Sequence, residues 1–205
     1  MNNDEILTIE RTVRHEIDKI NGSRFIADAA PATDESACLA FVGTIKLREP
    51  GATHHCWAYR LSDGRERSSD DGEPGGAAGP PILRRIQGAE LYNTVVVVTR
   101  YYGGTNLGIG GLIRAYGGAA AEVLKLASII TRPIMSEWEL QYPYELSSPI
   151  THVLATFGAA TVESEYGAQV RVVAAVRAGS AVEFVDAILE ATAGAVTAQP
   201  VTKIS

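Results

Sequence analysis

The hydrophobic positions in the first half of the chain predict short strands that alternate with helices. A turn at residues 21–23 precedes an apolar segment and predicts a β-hairpin. Thr33 is the predicted N-cap of an amphipathic helix that runs through Ile45. The alternation of residues 53–61 predicts a strand that carries His54.

Two glycine-rich segments follow, and each precedes a predicted helix. Residues 62–79 are too polar and too rich in glycine for regular structure, which predicts a long surface loop. We expect a helix at residues 80–88 and a strand buried on both faces at the β-branched run 93–100. The second glycine-rich turn, at 103–111, leads into a helix over residues 112–126.

From Glu137 onward the pattern changes, and the predicted order β-α-β-β-α-β is that of a ferredoxin-like domain. The predicted elements are strand 138–144, helix 148–157, strand 160–166, strand 169–177, helix 181–191 capped by Ser180, and strand 196–204. The chain is therefore predicted to be an α+β protein of two domains, residues 1–132 and residues 133–205.

Composition indicates a folded, globular protein, because the 205 residues are 46% hydrophobic and carry a net charge of -6. An acidic chain opposes nonspecific binding to nucleic acid, so any site for a polyanion must be local. The sequence shows no leader pattern, and its apolar runs are too short to span a membrane. Cys38 and Cys56 are too few for a disulfide framework, and reduced thiols favour a cytoplasmic location.

Residues 69–74, which read Ser-Asp-Asp-Gly-Glu-Pro and which we call the acidic loop, carry the first candidate chemistry. Asp70, Asp71 and Glu73 could hold a hard cation such as Mg²⁺ or act as acid–base groups. His54, on the preceding strand, is a further candidate for proton transfer. The alternative is a solvated loop whose aspartates accept backbone N–H bonds in Asx turns, and both interpretations stay open.

The glycine-rich segments are candidate anion sites, because exposed N–H groups ahead of a helix attract phosphate or carboxylate. Neither segment has Walker A or dinucleotide spacing, and the same glycines could instead permit close packing. Arg100 and Arg114 flank the second segment and could add bidentate phosphate contacts. Tyr101 and Tyr102 could stack on bases or be core and rim aromatics. The candidate glycines are Gly75, Gly76, Gly79, Gly103, Gly104, Gly108 and Gly111.

Several long motifs between residues 19 and 127 resemble the IMPACT/YigZ family. Beside the acidic loop, these are Thr-His-His-Cys-Trp-Ala-Tyr-Arg at 53–60, Val-Val-Thr-Arg-Tyr-Tyr-Gly-Gly at 97–104 and Gly-Leu-Ile-Arg-Ala-Tyr at 111–116. The C-terminal segment resembles the small second domain of the bacterial members. Chance resemblance is improbable, because the motifs are long, ordered and jointly specific.

The resemblance implies a first domain like domain IV of elongation factor G, with a left-handed β-α-β crossover, and a second like its domain V. It also implies translational control, since the eukaryotic relative relieves activation of an amino-acid-starvation kinase by competing for its activator. For the bacterial members it implies no established reaction and no cofactor.

Four positions depart from the family pattern. Ala77 stands where Thr is usual, Pro80 where a basic residue is usual, and Asn106 where Lys is usual. The loss of a hydroxyl and two cations is expected to weaken binding of phosphate or nucleic acid. His55 replaces the more usual Asn and changes a neighbour of His54.

Two functions follow from these residues. The first is a noncatalytic regulator that binds the ribosome, structured RNA or a translation-related protein through its first domain. The second is a hydrolase of a phosphate-containing substrate, in which the three carboxylates of the acidic loop hold Mg²⁺. Arg100 and Arg114 would then stabilise charge while His54 transfers protons. Both hypotheses need the two glycine-rich turns to meet at one concave surface.

Overall fold

The computed structural model describes residues 4–201, which form two compact units. The first unit comprises residues 6–132, and the second combines residues 133–201 with Asp4 and Glu5. The strands are β1 (Glu5–Ile9), β2 (Val13–Glu16), β3 (Arg24–Pro31), β4 (His54–Arg60), β5 (Glu66–Ser69), β6 (Thr94–Tyr101), β7 (Ile129–Pro133), β8 (Met135–Tyr142), β9 (Ala160–Tyr166), β10 (Val170–Arg177) and β11 (Gln199–Pro200). The α-helices are α1 (Glu35–Arg48), α2 (Gly79–Gly88), α3 (Gly108–Lys125), α4 (Ser147–Thr156) and α5 (Ala181–Ala191).

The first unit is built on a five-stranded sheet in the order β2-β3-β6-β4-β5. Both β3 and β4 run antiparallel to β6, which lies between them. The connection from β3 through α1 to β4 is therefore a β-α-β crossover, and the left-handedness implied for it stays a prediction. A separate two-stranded sheet pairs β1 with β7. The sequence pattern predicted neither of these two strands.

Alternation along β4 divides the core of the first unit between the two faces of the sheet. Cys56 and Ala58 belong to the cluster covered by α2 and α3, while Trp57 and Tyr59 belong to the cluster covered by α1. Successive strand residues point to opposite faces, so one strand contributes to both clusters. This arrangement confirms the alternation predicted for residues 53–61.

Three local predictions differ from the structure in the first unit. The predicted loop 62–79 contains β5, whose polar residues pair with β4 at the edge of the sheet. Helix α1 is capped by Asp34 rather than Thr33, because the Asp34 carboxylate accepts the N–H of Ala37 at 2.8 Å. Helix α3 begins at Gly108 rather than near Leu112, so part of the second glycine-rich turn is helical.

The second unit has a four-stranded antiparallel sheet in the order β11-β8-β10-β9. Together with α4 and α5, which contribute Ile150 and Phe184 to the core, this is the ferredoxin-like arrangement that the sequence predicts. Ser180 makes no side-chain cap bond to α5. The last strand covers only Gln199–Pro200, and residues 202–204 of the longer predicted strand lie outside the described residues.

Within residues 4–201, no helix combines the length and the apolar character needed to cross a membrane.

Replacement of Asp34 by Ala is expected to lower the free energy of unfolding by about 1 kcal/mol, because the Ala37 N–H loses its acceptor. Thr33→Ala, at the exposed neighbouring position, should change it by less than about 0.5 kcal/mol. Urea denaturation of both variants checks the assignment of the cap. An equal or larger loss for Thr33→Ala would contradict it.

Candidate functional site

The first unit contains a cavity of about 440 Å³ where the acidic loop meets the first turn of α3. We call it the α3 cavity. It is lined by Thr53, His54, Glu73, Pro74, Arg100, Tyr102, Asn106, Leu107, Gly108, Ile109 and Leu112. Both glycine-rich regions thus contribute a wall, the first through Glu73 and Pro74, the second through residues 106–109.

A buried ion pair forms one wall of the α3 cavity. One oxygen of the Glu73 carboxylate, Oε1, accepts from Nη1 of Arg100 at 2.7 Å and from the hydroxyl of Tyr116 at 2.6 Å. The side chains of Glu73 and Arg100 are only 3% and 6% exposed. Burial raises the pKa of the Tyr116 phenol, so this hydroxyl stays protonated and donates to Glu73.

The sheet register places Arg100 at the centre of this wall. On β6, Arg100 lies opposite His54 of β4 and Phe25 of β3. Its Nη2 donates to Oγ of Ser23 at 3.3 Å, and its guanidinium carbon lies 5.4 Å from the ring centre of Tyr102. The Arg100 Nε–H has no acceptor among the described residues.

His54 is held by the backbone of the acidic loop. Its Nδ1 lies 2.8 Å from the carbonyl oxygen of Asp71. Because a carbonyl oxygen can only accept, Nδ1 must carry the proton, and Nε2 is an acceptor in the neutral ring. This Nε2 lies 3.9 Å from Oε1 of Glu73, too far for a hydrogen bond. The second ring nitrogen is therefore free to contact a ligand.

Asp70 occupies the first of the two predicted anion cradles. Its carboxylate accepts the backbone N–H groups of Gly76, Ala78 and Gly79 at 2.8, 2.9 and 2.8 Å. Burial opposes ionisation of this group, but the N–H bonds outweigh it and hold the Asp70 pKa below its usual range. The first segment therefore binds an anion from its own chain, and Gly75, Gly76 and Gly79 do not line the α3 cavity.

The Asp71 carboxylate contacts α1 and β4 and does not line the α3 cavity. Its carboxylate accepts from Nζ of Lys46 at 2.8 Å and from the N–H of His55 at 2.7 Å. Burial opposes ionisation here too, but the Lys46 and His55 contacts lower the Asp71 pKa overall. The position of His55, one of the four departures from the family pattern, is thus fixed partly through its own backbone.

The carboxylates of the acidic loop do not form the shared Mg²⁺ ligand set proposed from sequence. Asp70 faces the α2 amides, Asp71 faces Lys46, and Glu73 faces Arg100. Over residues 4–201, no three His, Cys, Asp or Glu side chains come together as a metal-binding group. The reason is geometric, since each carboxylate is drawn to a different donor within a six-residue segment.

The second glycine-rich segment combines close packing with an open helix start. A Cβ on Gly103 would lie 2.0 Å from the carbonyl carbon of Gly22, so only glycine fits there. Gly104 and Gly108 have positive φ, and a Cβ on either would meet open space. Of the candidate glycines, Gly108 lines the α3 cavity.

The remaining candidate residues differ in whether they line the α3 cavity. Tyr102 is 46% exposed, lines the cavity, and donates its hydroxyl to Oδ1 of Asn106 at 3.2 Å. Tyr101 instead donates to Glu49 at 2.6 Å and is not a lining residue. Arg114 is exposed and lies outside the lining, as does Gly111.

Sequence reasoning missed two residues that build the wall. Tyr116 belongs to the motif at 111–116 but received no role, and Ser23 was assigned only to a turn. Ser23 Oγ accepts from both Arg100 and the N–H of Gly103, which joins two distant turns. The one local signal for Tyr116 was a tyrosine within a predicted helix rich in glycine and alanine, since a tyrosine that packs in a core needs a partner for its hydroxyl.

Comparison with known proteins agrees with the motifs. The Impact N-terminal domain model matches residues 21–124, and a domain of unknown function, DUF1949, matches residues 140–195. The IMPACT family member YigZ of Escherichia coli is 35% identical over 172 residues, which cover 82% of this chain and 84% of that protein. This chain belongs to the IMPACT family.

Other relatives match this IMPACT family member over shorter lengths. An "IMPACT family member in pol 5'region" of Thermus thermophilus is 55% identical over 108 residues, which span 53% of this chain and 58% of that protein. The "Protein IMPACT homolog" of Saccharomyces cerevisiae is 36% identical over 94 residues, 42% of this chain and 36% of that one. A crystal structure of a hypothetical protein covers 98% of this chain and is itself covered to 99%, with 30% identity and a TM-score of 0.77.

Replacement of Asp70 by Asn should lower the free energy of unfolding by about 2 kcal/mol at pH 7, because it removes the charge that caps α2. The folded pKa of Asp70 is depressed, so its contribution is complete above the unfolded pKa of about 3.9 and is lost as pH falls through the lower folded value. The difference between wild type and variant in urea denaturation should therefore shrink from pH 7 to pH 3.

Asp186→Asn, at an exposed aspartate of α5, is the matched control and should cost less than about 0.5 kcal/mol at pH 7. A difference for Asp70→Asn that is the same at pH 7 and pH 3 would show that its carboxylate does not carry the cap.

Replacement of Glu73 by Gln should cost about 3 kcal/mol, because it leaves the buried Arg100 charge without its partner. Tyr116→Phe removes only the hydroxyl donated to the same carboxylate and should cost about 1 kcal/mol. Thermal and urea denaturation compare the two. Equal costs would contradict the view that the ion pair is the dominant contact.

Proposed function

We propose that this IMPACT family member is a noncatalytic binding protein that acts in translational control, and that its first unit contacts the ribosome at the mouth of the α3 cavity. The observation that carries the proposal is the contrast between the wall and the rim of this cavity. The wall is a buried ion pair, whereas Tyr102 and Ile109 at the rim are 46% and 60% exposed.

The rim has the character of a contact surface. Large aromatic and aliphatic side chains beside a few fixed polar groups are typical of the residues that dominate interfaces. Tyr102 is also positioned by its neighbours, since its N–H donates to Oγ1 of Thr53 at 3.1 Å and its hydroxyl contacts Asn106. A rim that is ordered before binding loses less freedom when a partner docks.

The internal contacts of the acidic loop favour binding over catalysis. The hydrolase hypothesis places Asp70, Asp71 and Glu73 on one Mg²⁺ ion, but each of these carboxylates contacts a different part of the first unit. Among the residues that line the α3 cavity, His54 has a ring nitrogen without a hydrogen bond. No carboxylate of residues 4–201 forms a hydrogen bond to its ring that would orient it for proton transfer.

The family supports the link to translation. The resemblance implies translational control for the eukaryotic relatives, and the yeast protein named as an IMPACT homologue is 36% identical to this chain over 94 residues. The residues that line the α3 cavity all lie within the match to the Impact N-terminal domain model, residues 21–124. The ribosome is the partner we choose to test, because each unit by itself resembles one domain of elongation factor G, a protein that acts on the ribosome.

Sedimentation of the purified protein with ribosomes tests the proposal. We expect wild type to co-sediment and Tyr102→Ala to bind at least about tenfold more weakly, because it removes an exposed aromatic contact. The matched control is Tyr144→Ala in the second unit, where the tyrosine is 50% exposed and its hydroxyl also makes one hydrogen bond.

Two results would overturn the proposal. One is no co-sedimentation of wild type at any salt concentration, and the other is an equal loss for Tyr102→Ala and Tyr144→Ala. Turnover of a phosphoester that requires Mg²⁺ and is abolished by Asp71→Ala in a folded protein would favour the hydrolase instead.

A further inference from the structure

The first unit contains a second cavity, of about 350 Å³, beside the ends of α2 and α3. Gly88 is the last residue of α2, Lys125 is the last residue of α3, and Ile129 is the first residue of β7. The cavity shares no lining residue with the α3 cavity, and we call it the basic cavity. It is lined by Arg84, Arg85, Gly88, Ala89, Ala121, Leu124, Lys125 and Ile129, of which three are cationic and none is acidic.

Two of these cations, Arg84 and Arg85, have no charged partner. Both are exposed, and neither forms a hydrogen bond or an ion pair with any of residues 4–201. By contrast, Arg60, Arg67 and Arg100 of the same unit each pair with a glutamate. A single exposed arginine without a partner is common. Two that line the same cavity leave both guanidinium groups available to one ligand.

Arg85 is positioned beside α3. A Cβ on Gly117 would lie 3.4 Å from Nε and 3.6 Å from Nη2 of Arg85, so the guanidinium group lies against the α3 backbone at this glycine. A side chain that is placed in advance loses less freedom when a ligand binds. One of the two unpaired cations is therefore partly ordered before any ligand is bound.

The other lining residues make the basic cavity partly apolar. Gly88, Ala89 and Ala121 have small side chains or none, which leaves the space open. Leu124 is 6% exposed and belongs to the core cluster under α2 and α3, so the cavity reaches the hydrophobic core. Ile129 is 49% exposed and adds an apolar side chain in contact with solvent. Apolar surface beside unpaired guanidinium groups suits a ligand that combines apolar side chains with carboxylates.

The negative charges nearby do not cancel those of Arg84 and Arg85. Lys125 pairs with Glu122 at 2.7 Å, so these two charges offset each other. The ends of α2 and α3 add about half a negative charge each, an effect that is confined to the last turn. Glu90 follows Ala89 in the chain but is exposed to screening by solvent and does not line the cavity. The two arginines each carry a full charge, so the cavity stays locally positive in a chain with a net charge of -6.

We propose that the basic cavity binds an acidic peptide segment of a partner protein, with carboxylates on Arg84 and Arg85 and an apolar side chain beside Leu124 and Ile129. A volume of about 350 Å³ accommodates a few side chains of such a segment. A peptide is favoured over RNA because the residues that line the cavity include no aromatic ring on which a base could stack. The inference goes beyond the proposed function, since it concerns a separate surface of the first unit.

Fluorescence anisotropy with labelled synthetic peptides tests the inference. The probe is a short peptide in which glutamate alternates with leucine. One comparison peptide has glutamine in place of glutamate, and the other has serine in place of leucine. We expect the first peptide to bind and each of the others to bind at least about fivefold more weakly, because each lacks one of the two contacts. A uridine oligonucleotide with the same number of negative charges should also bind more weakly, since it offers no apolar side chain.

A double variant tests the charged part of the basic cavity. Arg84→Gln combined with Arg85→Gln should weaken the glutamate–leucine peptide by about tenfold or more, because it removes both unpaired cations. The matched control combines Arg11→Gln with Arg114→Gln, two exposed arginines outside the cavity, and should change binding by less than about twofold. Both double variants lose the same charge, so nonspecific attraction falls equally in the two.

A single variant tests the apolar part. Ile129→Ser should weaken the same peptide by about threefold or more, because it removes an apolar contact. Its matched control is Val162→Ser in β9, where the valine is 51% exposed, and this change should leave binding unaltered. Cooperative urea unfolding of every variant shows that a loss of binding is not a loss of fold.

Several outcomes overturn the inference. They are equal binding of the glutamate and glutamine peptides, tighter binding of the uridine oligonucleotide, an equal loss for a variant and its matched control, or no binding of the glutamate–leucine peptide at about millimolar concentration. Because the two cavities share no lining residue, any of these results leaves the proposed ribosome contact standing. A failure of ribosome co-sedimentation likewise leaves the peptide site standing.

Discussion

The candidate site depends on the buried ion pair between Glu73 and Arg100. Each charge would be costly to bury alone, and the two side chains are almost fully removed from solvent. Arg100 projects from β6, the central strand of the sheet, so the pair attaches the end of the acidic loop to that strand. Tyr116 extends the same contact to α3. One carboxylate oxygen thereby joins a loop, a strand and a helix, and the α3 cavity lies beside their junction.

Once Glu73 is held there, the other acidic residues of the loop are directed away from the cavity. Asp70 caps α2, and Asp71 binds Lys46 while its carbonyl oxygen fixes the tautomer of His54. Each carboxylate of the loop is therefore bound to a donor within the first unit. The lining of the α3 cavity includes the His54 ring, the half-exposed ring of Tyr102 and the first residues of α3.

Regular patterns in the sequence predicted the parts of the fold that depend on near neighbours. Alternation in residues 53–61 and the β-branched run of β6 place these strands correctly, and the β-α-β-β-α-β order of the second unit is confirmed by its sheet. The errors fall where long-range contacts decide. Strand β5 consists of polar residues that would be a loop without β4 beside them. Thr33 and Asp34 are both good N-caps, and the path of the chain after β3 selects the second.

The sequence by itself determined that carboxylates, glycines and arginines of this kind gather in the first unit, because residue types and spacing are local properties. Only the tertiary structure decided what each carboxylate does. Asp70, Asp71 and Glu73 lie within four positions of one another and have similar intrinsic chemistry, so nothing local distinguishes them. Their partners do: Glu73 meets Arg100 across 27 positions of the chain, and Asp71 meets Lys46 across 25. Such pairings arise from the packing of strands and helices, which brings donors and acceptors together that the linear sequence keeps apart.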